Sequence, residues 1–508
     1  MLVFETILIM LAAAVALLGV ARRWHLPYPV LLALAGTVVA VAPIDVELHI
    51  DPALVLALFV APVLLDAAYD MPLRDLKRNW GPVLSLALIV VALTTVAVAA
   101  VVHGLVPGIP WAAAVAIGAI VAPPDAVAAT TVLRDVKLPH RIGVILAGEA
   151  LLNDASTLLI YRLAVAAVMA GGGIGAEVIA PAFLLSIVGS LIAGPAIAWC
   201  VGHITQRIDD APSSIILQFV STFGIWVLAE HSGLSPILTV VGYAITLARS
   251  DKAYLPARLR IPSYAVWDTA VVVLNVLAFL LIGLELGPVM AAAPPGALGH
   301  WAVVGGAVLA TVIVVRLGWA LGIALWRGAA GRTRDESNWR TGLLIGWAGT
   351  RGIVTIATAL ALPGDFPERG MLLFAAFVVT LGTLLIQGLT LRPLVLALGL
   401  SDDDPVGREI RLARIATADA ALAAIEGEDT DGVAVLREEL RTERAVAKEA
   451  DDGEGRPTFA IKAVRAKALM ARRDELRRLR REGEIGDDAF HRLEEELDVA
   501  DLATAMRT

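Results

Sequence analysis

The chain has 508 residues, of which 58% are hydrophobic and 18% charged, and a formal net charge of −8. Apolar runs of roughly twenty residues recur from residue 2 to about 397, which excludes a single soluble domain and marks a polytopic membrane protein. Of the 41 Lys and Arg, 19 lie in 401–508, as do 27 of the 49 Asp and Glu; residues 1–400 hold 22 of each, and no basic stripe remains to bind nucleic acid.

In chain order the runs fall at about 2–20, 29–43, 52–70, 80–104, 111–132, 140–170, 177–206, 213–230, 235–250, 262–286, 299–326, 340–361 and 370–397, which predicts thirteen transmembrane helices in an all-α fold. The first run lacks a basic leader and a small-residue cleavage site, so it reads as span one. Arg22-Arg23, Arg74/Lys77/Arg78, Arg134/Lys137/Arg141, Arg207, Arg249/Lys252/Arg258/Arg260 and Arg327/Arg332/Arg334/Arg340 all fall on one side. The opposite loops carry only Arg369 among basic residues and include the acidic Asp45-Val46-Glu47 turn. By the positive-inside rule the amino terminus lies outside and the tail is cytoplasmic, as in a multi-pass protein of the plasma (inner) membrane. The single cysteine, Cys200, permits no intramolecular disulfide and reads as a small core residue in span seven.

An odd number of spans is informative. With span seven as a connector, spans 1–6 and 8–13 form two six-helix repeats of opposite topology. Span five then corresponds to span twelve, and both are interrupted, by Pro123-Pro124 and by Gly349-Thr350-Arg351-Gly352. Proline removes a backbone hydrogen bond and glycine permits non-helical backbone, so each span is expected to break within the membrane. Ordinary kinks are the simpler explanation, but kinks alone would not put Asp125 at one break and Arg351 at the other.

Charges at that depth are costly, ~2.5–3.5 kcal/mol each at a helix centre, and so point to function. A small hard cation exchanges its water shell for oxygen ligands, which Asp154, Asp125, an amide and backbone carbonyls supply. A carboxylate removed from water also holds its proton more tightly, so that a proton and a metal ion compete for one site. In span six Glu149 and Asn153 are four residues apart and share a face, whereas Asp154 lies about 100° further round. Glu149 is therefore expected to be structural, in a bidentate ion pair with Arg351; Arg316 in span eleven is the rival partner. Asp66 near the cytoplasmic end of span three reads equally as a ligand or a solvated acid. Glu230 and Glu285 read as solvated outer-end acids, Asn275 as a bridge between helices, and Trp267 with Asp268 as an interfacial anchor. Arg162 is left without a preferred partner.

Five segments then carry a resemblance: Ala61-Pro62-Val63-Leu64-Leu65-Asp66-Ala67-Ala68-Tyr69, Gly148-Glu149-Ala150-Leu151-Leu152-Asn153-Asp154, Leu274-Asn275 with Phe279-Leu280-Leu281-Ile282-Gly283-Leu284-Glu285-Leu286, Gly349-Thr350-Arg351-Gly352, and Gln387-Gly388-Leu389-Thr390-Leu391-Arg392-Pro393-Leu394. Together, over residues 50–397, they resemble the sodium/proton antiporters of the cation:proton antiporter-1 family, NhaP-like and NHE-like. The resemblance implies thirteen helices in inverted repeats, a homodimer, and exchange of Na⁺ or Li⁺, with K⁺ a further candidate, for H⁺, without a cofactor. Carried over, Asp154 is the exchanging carboxylate, Asn153 its companion amide, Asp125 the acid of broken span five, the Pro124 carbonyl a backbone ligand, and Asp66 an acid reaching the site through water. Asn153, where relatives have a second acid, resembles the electroneutral branch. This chain has Pro124-Asp125-Ala126 where the family often has Thr-Asp-Pro, and Ala150 where it has Ser, so span six loses a hydroxyl ligand.

The expected domains are 1–400, an antiporter unit with spans 4–6 and 11–13 as core, spans 1–3 and 8–10 as scaffold and dimer surface and span seven as linker, and 401–508, a cytoplasmic helical tail. Tail charges alternate with Leu, Ala and Ile in helical patterns, broken near Gly427-Glu428-Asp429, Asp452-Gly453-Glu454-Gly455 and Gly483-Glu484-Ile485-Gly486. A symporter or other solute carrier on a similar scaffold is the alternative function. An intramembrane enzyme is disfavoured, because the spans contain no His/Glu metal pair and no Ser/His arrangement.

Overall fold

In hydrocarbon every backbone donor and acceptor needs a partner, which leaves helices or closed barrels. The computed structural model describes residues 2–24, 26–41, 52–125, 138–170, 176–249, 256–329, 338–400, 405–428, 432–451, 470–472 and 474–479, with single residues 482, 493 and 497, and has no strand among them. The Asp45-Val46-Glu47 turn, Ala126, Arg134, Lys137, Lys252, Arg332 and Arg334, Asp429 and the two later tail breaks lie outside the described residues.

The chain divides into two units, Met1–Asp402 and Asp403–Thr508. The first contains α1 (Leu2–Trp24), α2 (Tyr28–Val41), α3 (Leu56–Tyr69), α4 (Trp80–Leu105), α5 (Trp111–Val121), α6 (His140–Met169), α7 (Ala176–Thr205), α8 (Ala211–His231), α9 (Pro236–Arg249), α10 (Ala257–Leu284), α11 (Ala297–Ala329), α12 (Asn338–Trp347), α13 (Ile353–Leu360) and α14 (Arg369–Leu398). Among the described residues, seven helical stretches are long and apolar enough to cross a membrane, including all of α4, α6, α8 and α14. Large apolar side chains such as Val15, Leu185, Ile192, Ile216 and Val314 are exposed, as a surface meeting lipid tails requires.

Between apolar helices in an apolar solvent, close packing replaces the hydrophobic effect, and small residues set the contacts. Gly36 of α2 and Gly283 of α10 lie backbone to backbone: a Cβ on Gly36 would come within 3.0 Å of the Gly283 Cα, and one on Gly283 within 2.7 Å of the Gly36 carbonyl carbon. Gly118 brings α5 against α4 in the same way, 3.0 Å from the Thr95 Cα. The α5 residues Ala116–Val121 are all buried, as expected of a helix that is apolar all round.

Buried apolar residues form two clusters, one holding Val98, Tyr161, Ile356 and Phe377, the other Val83, Ile145, Leu344 and Leu391. Between them along α4, α6, the α12–α13 pair and α14 lie buried polar residues: Thr94 and Thr95, Asn153 and Asp154, Thr350 and Arg351, and Gln387. The same sequences that build two apolar layers thus leave a polar layer between them.

Two sequence expectations change. Cys200 is exposed rather than a core residue, because an apolar membrane helix turns side chains to lipid as readily as to protein. Trp267, expected as a belt anchor, turns its ring into the protein, stacking on Phe219 at a centroid distance of 4.6 Å and donating to Gln218 Oε1 at 2.6 Å.

The second unit contains α15 (Pro405–Ala424) and α16 (Val433–Asp451), joined through Gly427 and Gly432 at φ 91° and 98°, values that favour glycine. Arg437 donates to the carbonyls of Ile425 and Glu428, and Arg444 pairs with Asp419 at 2.6 Å.

Replacing Gly283 by Leu is expected to destabilise the α2–α10 crossing by about 1–3 kcal/mol or more, as overpacking does. Thermal unfolding in detergent should show this loss for Gly283→Leu and none for Gly299→Ala, whose Cβ would meet nothing within 4 Å.

Candidate functional site

A helix end leaves unpaired carbonyls or amides, and two such ends meet here. α5 stops at Val121 and the backbone of Ala122–Asp125 is non-helical; α12 stops at Trp347, and α13 resumes at Ile353. The two openings bond to each other: Asp125 N donates to the Thr350 carbonyl at 2.6 Å, and Thr350 Oγ1 to the Asp125 carbonyl at 3.4 Å. Gly352 permits this approach, since a Cβ there would collide with the Asp125 carboxylate and lie 2.8 Å from the Asp125 Cβ.

Arg351 holds the crossing. Its backbone amide donates to Thr383 Oγ1 of α14 at 3.0 Å, its Nε to the Val121 carbonyl at 3.0 Å and its Nη2 to the Ala122 carbonyl at 3.2 Å; Nη1 reaches the Gly349 carbonyl. A guanidinium at the carboxyl end of α5 satisfies carbonyls the helix leaves open and complements its dipole.

The expected Glu149–Arg351 pair is therefore corrected. Glu149 pairs with Arg316 of α11, both 1% exposed, in a bidentate arrangement whose Nη2–Oε2 distance is 2.8 Å. Arg316 Nη2 also donates to the Ala348 carbonyl at 3.1 Å, tying the pair to the second break. Both arginines crowd Gly349, where a Cβ would lie 2.6 Å from Arg316 Cδ and 3.0 Å from Arg351 Nη1. The α11 helix packs along α12 and so brings Arg316 to Glu149, while Arg351 is taken up by the α5 carbonyls.

Beside the crossing α6 presents Asn153 and Asp154 on neighbouring faces. Asn153 is fully buried; its Nδ2 donates to the Pro124 carbonyl at 3.3 Å, and its Oδ1 has no hydrogen-bond partner among the described residues. Asp154 is 8% exposed and lines, together with Asp125 and Pro124, a cavity of 620 Å³. The cavity also reaches Asp66, the Asp70-Met71-Pro72 turn after α3, and Asp268 and Asn275 of α10. Asp154, Asp125, Pro124 and Asp66 thus border one space, and Asn153 holds the Pro124 carbonyl at its edge. Among the described residues no group of three or more acids, imidazoles or thiols could hold a metal ion.

Reading the sequence did not put Asp70, or Thr383 as an anchor of the second break, at the site. Asp70, four residues after Asp66, shares its face of the chain, and that spacing was the available signal. Glu230 and Arg162 are exposed.

A family model described as "Sodium/hydrogen exchanger, transmembrane" matches residues 9–397. The chain belongs to the sodium/hydrogen exchanger family. Within it, the chain is 30% identical to the uncharacterized Na⁺/H⁺ exchanger YjcE of Escherichia coli over 98% of both chains. It is also 30% identical to the sodium, potassium, lithium and rubidium/H⁺ antiporter of Bacillus pumilus, covering 77% of this chain and 61% of that protein. The fold is similar to that of the sodium proton antiporter MjNhaP1 of Methanocaldococcus jannaschii, with a TM-score of 0.60 at 18% identity, over 78% of this exchanger-family chain and 98% of that one.

Removing one partner of a buried ion pair strands the other, so Arg316→Ala and Glu149→Ala are each expected to destabilise by about 3–5 kcal/mol. The double variant Glu149→Leu/Arg316→Met should recover much of the loss in thermal unfolding. Damage in the double equal to the sum of the two singles would show that the pair is not the unit of stability.

Proposed function

We propose that the protein exchanges a monovalent cation, Na⁺ first, for protons, one for one, by alternating access at Asp154. The observation that carries this reading is the placement of Asp154 with Asp125 at a cavity beside two broken helices, where Asn153 donates to the Pro124 carbonyl and its Oδ1 has no hydrogen-bond partner among the described residues. A cation stripped of water is held there by two carboxylates and neutral oxygens, and protonating Asp154 removes the charge that holds it. One carboxylate that cannot keep both ions is sufficient for coupled exchange. Asn153 in place of a second acid supports electroneutral stoichiometry, and the resemblance between this chain and relatives named Na⁺/H⁺ exchangers supports the choice of ions. Li⁺ fits the same oxygens, and K⁺ is the third candidate.

In this reading thirteen spans form inverted six-helix repeats in which α5 and the α12–α13 pair are the broken crossing helices. Spans 4–6 and 11–13 move as a core against spans 1–3 and 8–10, with span seven as linker, and the protein works as a homodimer. The amino terminus is taken as outside and the tail as cytoplasmic from the basic loops, and on that orientation the Asp70-Met71-Pro72 edge of the cavity lies on the cytoplasmic side. Residues 401–508 form a cytoplasmic regulatory module. Asp66 guides the ion through water towards Asp154.

Purified protein in liposomes is expected to drive Na⁺-dependent proton flux without generating a membrane potential. Asp154→Asn should abolish this flux while preserving the folded protein, and Asp154→Glu should retain it with an apparent affinity changed on the order of tenfold, or 1.4 kcal/mol. Normal exchange by Asp154→Asn would overturn the assignment. Competition further predicts that the half-saturating Na⁺ concentration rises as pH falls, with the maximal rate at saturating Na⁺ unchanged.

Deleting residues 401–508 is expected to alter the pH profile of transport. An unchanged profile, rate and oligomer mass would eliminate the regulatory role of the tail.

A further inference from the structure

A second cavity, of 360 Å³, lies among α3, α7, α8, α9 and α10, and the proposed mechanism does not use it. Its volume falls within the ~300–1,000 Å³ of small-ligand sites. The polar groups of its floor are satisfied by one another: Trp267 donates to Gln218 Oε1 at 2.6 Å, and Gln218 Nε2 donates to Ser263 Oγ at 3.2 Å. Its charged lining residues carry both signs. Arg249 and Arg260 lie at the adjoining ends of α9 and α10, and Asp70 and Asp268 line the same cavity. The Asp70 and Asp268 carboxylates are near enough to repel each other, and a cation between them would relieve that repulsion. Apolar walls from Leu65, Leu217 and Leu247 complete the space.

Basic pockets between transmembrane helices take anionic lipid headgroups. Here the carboxylates oppose a net anion and the arginines oppose a bare cation, which leaves a ligand with both charges. We propose that the cavity binds the headgroup of a phospholipid carrying a primary amine, a phosphatidylethanolamine. Its phosphate lies against Arg249 and Arg260, its ammonium between Asp70 and Asp268, and the start of its acyl chain along Leu65, Leu217 and Leu247. An ammonium offers three N–H donors to the carboxylates, and a choline offers none. Asp66, Asp70 and Asp268 line this cavity and the one leading to Asp154, so the bound headgroup lowers the negative potential at the approach to the ion site. The binding claim rests on the membrane-embedded fold and is independent of which ion is carried.

The test is lipid binding to the delipidated full-length protein, followed by native mass spectrometry and by thermal unfolding with added phosphatidylethanolamine, phosphatidylcholine or phosphatidylglycerol. Phosphatidylethanolamine is expected to bind about fivefold more tightly than either, the ratio that one exposed ion pair of good geometry gives. Arg249→Ala/Arg260→Ala should weaken the binding of all three lipids, and Asp70→Asn/Asp268→Asn should abolish the preference for ethanolamine over choline and shift it to phosphatidylglycerol. Equal binding of the ethanolamine and choline lipids overturns the proposal, as does tighter binding of phosphatidylglycerol to the wild type. Stabilisation by soluble glycerophosphoethanolamine equal to that by the lipid overturns the lipid source in favour of a free zwitterion. The wild-type comparison decides the matter even where a variant fails to fold, and a protein inactive in ion exchange would still report it.

Discussion

The transmembrane unit depends on how the open backbones of Ala122–Asp125 and Ala348–Gly352 are satisfied where water is scarce. Unpaired peptide groups in hydrocarbon cost several kcal/mol each, roughly, so a broken helix survives there only if something else completes it. Each break completes the other through the Asp125–Thr350 bonds, and Arg351 supplies donors to the carbonyls α5 leaves open. The breaks and the arginine are a single device. The guanidinium holds the end of α5, and the Thr350 bonds hold Asp125 just beyond it.

The second requirement is rigidity around the site. Glu149 and Arg316 neutralise each other beneath the crossing, and Arg316 extends its reach to the Ala348 carbonyl. This leaves Asp154, one helical step from Asn153 and five residues from Glu149, facing a cavity instead of a cation of the protein. Two neighbouring acids on one helix thus acquire opposite tasks from what lies across from them. One is locked in a pair, and the other faces a cavity.

The layered burial explains how such chemistry coexists with a stable bundle. Two apolar clusters carry the packing, and polar side chains are confined between them, on the same stretches of α4, α6, α12–α13 and α14. Glycines at the α2–α10 and α4–α5 crossings let helices approach to backbone contact, which replaces side-chain burial as the source of specificity in lipid. Asp66, Asp70 and Asp268 line both cavities, so whatever occupies one alters the potential in the other.

The sequence alone determined the helical class, the apolar runs, the interruption at Pro123-Pro124 and at Gly349-Thr350-Arg351-Gly352, and the candidacy of Asp154, Asp125 and Asn153, because length, proline and buried charge are local properties. It did not determine partners. Glu149 had two arginines within conceivable reach, and only the packing of α11 along α12 gave it Arg316 and left Arg351 to the end of α5. Cys200 turned to the exterior and Trp267 to the interior for the same reason. Periodicity says which residues share a face, but in a membrane both faces are apolar, and which one meets protein is settled only when the neighbouring helices are in place.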